Sequence, residues 1–241
     1  MELKVLLSAL SVAIVCVYCA GPNPDAERVD FDAVFKGLHL DPCNAKCVQN
    51  LKPALINTLK LVNIYNSSEE LCNAYDATLS CTKKSFCFKN QVLTVVTSGL
   101  EDLCKTDKHT FIKDNENCIK PKIDGVSQSC DAKCHFVKEF ADYSHDPTVQ
   151  KSLTVLQMLD KLEGVCQSLS CYLPCLRNGL NGCSQAGKVY ASGILRPFYI
   201  AADFLGKMAP NVQQLISQKL PKSCAPLINV NVLNNITGAT Q

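Results

Sequence analysis

Apolar positions along this chain recur every three or four residues, the spacing of one helix face, and almost never every second residue. Cys43, Cys47, Leu51, Leu55, Leu59 and Val62 form one such stripe. Asp41 before Pro42 supplies an N-cap followed by proline at the first helical position. Pro53 lies inside the stripe, removes a backbone donor, and therefore kinks this helix or divides it in two. Ahead of it, Phe31, Val34, Phe35 and Leu38 predict a short helix over 31–40. Asn66-Ser67-Ser68 reads as a turn, with Ser67 or Ser68 capping a helix whose first turn carries Glu69 and Glu70. Its apolar set is Leu71, Cys72, Tyr75 and Leu79. After a Lys-Lys-Ser break, Val92, Val95, Val96, Leu100 and Leu103 predict a helix over 92–104.

The polar stretch 105–128 then reads as a boundary. Beyond it stand Cys130-x3-Cys134 with Phe136, Val137, Phe140 and Ala141, and a second Asp-Pro helix start at Asp146-Pro147. An apolar helix follows over 186–205, tolerating Gly193 and bent at Pro197, and then a short helix over 212–220. The lead-in at 21–30 and the tail after Pro226 show no helical period and are expected to be loose. The weak Asn-Val alternation at 229–233 does not amount to a strand.

The pattern also repeats. Pro53, Cys72 and Cys81 recur as Pro147, Cys166 and Cys175 at a constant shift of 94 residues, from position 53 to 147. Leu59, Leu61, Val62, Ile64 and Leu71 meet Leu153, Val155, Leu156, Met158 and Val165, and Thr97-Ser98-Gly99-Leu100 meets Ala191-Ser192-Gly193-Ile194. A period this long indicates a duplicated unit. The expected fold is all-α: two duplicated, disulfide-stapled helical halves forming a compact bundle. Residues 42–120 are the first repeat and 121–225 the second, with a flexible lead-in at 21–41 and a disordered tail at 226–241.

Composition narrows the setting. Of the 241 residues, 47% are hydrophobic and 19% charged, so the chain can build a core. Net charge is +2 with the signs interspersed and no block of five or more like charges, which argues against nucleic acid and against an anionic membrane as partners. Residues 1–20 carry Lys4, then the apolar run Val5–Tyr18, then small residues, the pattern of a secretory signal peptide. No later apolar run is long enough for a membrane span, so the mature chain is expected to be secreted and extracellular. Removing the leader takes Cys16 and Cys19 from the sixteen cysteines and leaves fourteen, an even number suited to seven disulfides.

Each half holds seven cysteines, so at least one bridge joins the halves. Under the constant shift Cys104 aligns with Phe198 and Cys171 with Ala77, which makes Cys104–Cys171 the expected cross-tie. A hairpin turning near Asn66 predicts Cys43–Cys87 and Cys47–Cys81 and leaves Cys72–Cys118. The equivalents are Cys130–Cys183, Cys134–Cys175 and Cys166–Cys224.

The search for chemistry yields no nucleophile elbow, zincin helix, phosphate loop or dinucleotide fingerprint. His39, His109, His135 and His145 lie in no base–nucleophile pattern, and neither Cys-x3-Cys pair completes a zinc set. The expectation is no catalytic residue, no metal and no cofactor. Asn66 and Asn235 open Asn-x-Ser/Thr sequons and are candidate glycosylation sites.

Cys43, Cys47, Cys72, Tyr75, Cys81, Cys87, Thr97-Ser98-Gly99-Leu100, Cys104 and Cys118 together resemble the nematode chondroitin proteoglycan 4 domain. The resemblance extends more weakly over 130–224. It implies an extracellular protein of egg or matrix with no catalytic residues to transfer. Ser98-Gly99 and Ser192-Gly193 are the dipeptides that chondroitin attachment would require, but small pairs in predicted helices also permit close helix packing. The leading functional expectation is a non-enzymatic interaction module binding an extracellular protein or glycan. The alternative is a carrier of lipid or another apolar ligand, with Phe86, Phe88, Phe136, Phe140, Phe198, Tyr199 and Phe204 as candidate lining. A cavity of several hundred Å3 favours the carrier, and a solid core with an exposed apolar patch favours the module.

Overall fold

The structure is a computed structural model that describes residues 22–151, 157, 158, 160–207, 209–211, 214, 218 and 220–238. The leader, the matched positions Leu153, Val155 and Leu156, and most of the helix expected over 212–220 lie outside the described residues. Among the described residues there are helices and no strands, so the all-α class holds. The helices are α1 (Asp25–Arg28), α2 (Phe31–Gly37), α3 (Pro42–Val48), α4 (Lys52–Leu59), α5 (Ile64–Lys84), α6 (Gln91–Lys105), α7 (Asp107–Asp114), α8 (Glu116–Cys134), α9 (Phe136–His145), α10 (Pro147–Lys151), α11 (Glu163–Gly179), α12 (Ala186–Gly206) and α13 (Val230–Thr237). Short 3-10 turns stand at Gln49–Leu51 and Lys222–Ile228.

Several starts follow the expected local chemistry. The Asp41 carboxylate accepts from the Cys43 and Asn44 amides, with Pro42 at the head of α3. Asp146 likewise accepts from the Thr148 amide at the start of α10 (2.7 Å). Pro53 divides the first stripe, α4 restarting at Lys52 after the 3-10 turn.

One start differs. The Asn66-Ser67-Ser68 segment is helical, and the turn lies earlier, at Leu61 and Asn63, both with positive φ. The reason is tertiary. Asp124 of α8 accepts from the Asn63 and Ile64 amides (2.6 and 2.9 Å), capping α5 from outside and moving its start upstream.

Three further expectations are corrected. The polar boundary at 105–128 is helical, and the predicted division at 120/121 falls inside α8. Ile119, Ile123, Ser127, Cys130 and Cys134 keep a narrow buried stripe on α8, spaced three or four apart, beneath a polar surface. The lead-in is docked: Asn23 bonds Asp131 (2.7 Å), Arg28 pairs with Asp142 (2.9 Å), and Ala26 is fully buried. The described tail is helical at Val230–Thr237 and packed. Asn229 caps α13, and Leu227, Leu233 and Ile236 enter the core, while Arg177 donates to the Asn235 and Ile236 carbonyls.

All fourteen cysteines among the described residues are bonded, and the pairing departs from the symmetry argument. Cys43–Cys87, Cys47–Cys81 and Cys166–Cys224 are as expected. The remainder are Cys72–Cys104, Cys118–Cys183, Cys130–Cys175 and Cys134–Cys171. Cys104–Cys171, Cys72–Cys118, Cys130–Cys183 and Cys134–Cys175 do not form. A hairpin of two helices matches cysteines by face and by distance from the turn, not by a constant sequence shift. Cys171 and Cys175 stand one helical turn apart on α11, as Cys130 and Cys134 do on α8, so the two pairs nest antiparallel. A bridge does link the first segment to the second, as the odd counts require, but it is Cys118–Cys183.

Two main clusters form the interior. One is built on α8, α9, α11, α12, α13 and the turn at Lys222–Ile228, and the other on α2 to α6 with Ala141. The most extensive helix pairing, α6 with α12, joins them.

Candidate functional site

Between the two clusters lies a partly enclosed apolar cavity of about 400 Å3. The first segment contributes Phe35, Leu51, Leu55, Leu71, Leu100 and Leu103, and the second contributes Ile123, Tyr172, Leu176, Tyr190, Gly193 and Ile194. Among the lining residues only Val96 is exposed. The wall formed by α6 and α12 depends on two glycines. A Cβ on Gly99 would sit 2.6 Å from the Gly193 carbonyl oxygen, and one on Gly193 would overlap the Leu103 side chain. Both Ser-Gly dipeptides therefore serve the helix crossing. Ser98 is buried with its hydroxyl bonded to the Val95 carbonyl (2.7 Å), and Ser192 donates to Val189 and accepts from Lys108.

The cavity has one polar corner, made of Tyr65, Ser68, Glu69, His109 and Tyr190. His109 Nε2 lies 3.1 Å from Glu69 Oε1 and Nδ1 lies 3.1 Å from the Cys104 carbonyl. Lys113 approaches the other oxygen of Glu69 (3.6 Å). The Ser68 hydroxyl donates to the Ile64 carbonyl (2.8 Å). Tyr190 is buried and its hydroxyl has no hydrogen-bond partner. Burial pushes that phenol well above the usual tyrosine range, helped by Tyr65 and Glu69; the nearby Ser68 hydroxyl pulls the other way without reaching hydrogen-bond geometry. Across the cavity, burial raises Tyr172 to about 12, against a weaker opposing bond with Ser127.

None of the aromatic residues expected to line a cavity does so. Phe86, Phe88 and Phe204 face solvent, Phe136 and Phe140 stack in a row with Tyr172 and Tyr143, and Tyr199 bonds Asn234. Leucine, isoleucine and valine side chains that helical spacing marks as core make up about half of the cavity lining. A hint was available in the chain's 7% aromatic content and lack of tryptophan, since a core short of large rings more readily leaves space between helices.

Of the four histidines only His109 reaches the cavity. His145 approaches the Arg28 carbonyl (2.5 Å), His135 sits in a left-handed turn ending α8, and His39 is exposed. No group of three or more metal-ligating side chains occurs among the described residues. Asn66 and Asn235 are both exposed on helices. No described helix is long and apolar enough to cross a membrane.

Neither the curated proteins nor the solved structures contain a significant match to this chain. The family model for chondroitin proteoglycan 4 matches residues 32–225, from α2 through Cys224 and its bridge to α11. That span takes in all seven disulfides and every wall of the cavity, and the chain belongs to the chondroitin proteoglycan 4 family.

Proposed function

We propose that the protein is a secreted, non-enzymatic carrier of a lipid or similar apolar ligand bearing a single polar group. The cavity carries this reading. Its volume of about 400 Å3 falls within the range of small-molecule sites, and its wall is largely apolar, with Tyr65, Ser68, Glu69, His109 and Tyr190 grouped at one corner. At this corner Tyr65, Ser68, Glu69 and His109 supply the polar groups that a hydroxyl or carbonyl head group would meet. Glu69 beside it disfavours a carboxylate head. Both ring nitrogens of His109 are within reach of acceptors, which leaves none free to serve a nucleophile and supports the absence of hydrolytic chemistry. A module with a solid core is less well supported, because the interior is not solid.

Native mass spectrometry of the protein secreted from eukaryotic cells tests the proposal. The expected result is a noncovalent adduct that organic extraction removes, and saturable uptake of an apolar fluorophore afterwards. Leu100→Phe, which adds volume to the wall, is expected to weaken that uptake about tenfold. A protein with no adduct and no saturable uptake refutes the carrier.

A further inference from the structure

The loop joining α5 to α6 departs from the burial pattern of the rest of the chain. Phe86 is 91% exposed and Phe88 87%, whereas the other exposed large apolar side chains reach at most 56%. The loop is nevertheless held. Cys87 between the two rings is bonded to Cys43, and its amide donates to the Thr82 carbonyl (2.9 Å). Asn44 donates to the Phe88 carbonyl (2.9 Å), and Phe86 takes a left-handed φ of 51° that a free loop would leave to glycine. Structure is therefore used to keep two phenylalanines in water.

Lys83, Lys84 and Lys89 flank the rings, all exposed and in no ion pair among the described residues. With a net charge of only +2, this is a local concentration of positive charge rather than general basicity. Asp41 at the loop's base is tied to Asn44 and to backbone amides.

We propose that residues 83–89 form a docking tip for an anionic lipid bilayer. Phe86 and Phe88 enter the boundary between head groups and acyl chains, and the three ammonium groups meet the lipid phosphates and carboxylates. A bilayer surface accepts rings and cations side by side at one depth, which is the arrangement this loop presents. The tip ends α5 and begins α6, the helices that carry Leu71 and Leu100 into the cavity wall. It stands on its own evidence and does not require the carrier reading.

The test is flotation of the full secreted protein, disulfides intact, with vesicles of phosphatidylcholine alone or mixed with phosphatidylserine. Binding to the mixed vesicles that weakens with salt is expected. The Phe86→Ser/Phe88→Ser pair is expected to lose at least about tenfold in vesicle affinity while its thermal melt is unchanged. Lys83→Gln/Lys84→Gln/Lys89→Gln is expected to lose on the order of a hundredfold, about fivefold per lysine. Because the chain has no tryptophan, Phe88→Trp gives a single reporter whose emission moves to the blue on mixed vesicles and is quenched by brominated lipid. Wild-type protein that stays with the unbound fraction, a serine pair that floats as well as wild type, or a tip that only joins two copies of the chain would overturn the proposal.

Discussion

Adding one methyl group at Gly99 isolates the cost of the α6–α12 crossing. In Gly99→Ala the new Cβ lies 2.6 Å from the Gly193 carbonyl oxygen and 3.6 Å from Pro197 Cδ. The oxygen belongs to backbone, so it cannot rotate away, and the helices must separate by roughly 0.8 Å to restore ordinary contact. Overpacking of this kind costs about 1–3 kcal/mol. Alanine in place of glycine inside a helix returns up to about 1 kcal/mol. The net expectation is a loss of about 0–3 kcal/mol. Gly125 provides the control: it lies inside α8 with no atom within 4 Å of where its Cβ would stand, so Gly125→Ala shows the helix gain alone, about 0.5–1 kcal/mol. Urea unfolding followed by circular dichroism, with disulfides intact, compares the two variants. The difference between them, about 1–3 kcal/mol, is the crossing cost itself. Gly99→Ala and Gly125→Ala raising stability by the same amount would show that the helices do not meet at these glycines.

Other expectations follow from the bridges, the tyrosines and the serines. Cys118→Ala/Cys183→Ala removes the tie between the two segments, closing a separation of 65 residues, and is expected to cost about 2–4 kcal/mol in urea unfolding; non-reducing peptide mapping of the native protein should join Cys104 to Cys72 and to no residue beyond 118. Burial raises Tyr143 and Tyr172 to about 12, against about 10 when unfolded. The native chain holds these protons longer, so this stability is complete below pH 10 and is lost as pH rises through 12, on the order of 2 kcal/mol per group; absorbance at 295 nm and stability should change together. Chondroitinase is expected to leave the mass of the secreted protein unchanged, because Ser98 is buried and Ser192 is bonded at the crossing.

Where local chemistry decides the structure, the sequence was a good guide. Asp41-Pro42 and Asp146-Pro147 cap helices as their residue types require, and the stripe from Val92 to Leu103 lies within α6. Errors arose where a partner distant in sequence decides. Asp124 moves the start of α5, and nothing near Asn63 announces it. The tail looked like an Asn-Val alternation, yet Val230, Leu233 and Ile236 are three apart, and an Asn229 cap turns them into helix. Cysteine pairing followed a register inferred from Pro53 and Pro147, while the matching Cys-x3-Cys spacings of α8 and α11 were the better clue. The cavity was invisible because its walls are mostly ordinary core side chains, and space between helices has no residue type.

The glycine contact has a consequence for how the interior communicates with its surroundings. No sulfur bond crosses from α6 to α12: Cys72–Cys104 fastens α6 back to α5, and α12 contains no cysteine. Lys108, contacting Asp102 and Ser192, is a noncovalent clasp over this seam. The disulfides can thus fix the rest of the scaffold covalently, while the contact between these two helices is held by close packing and the Lys108 clasp alone.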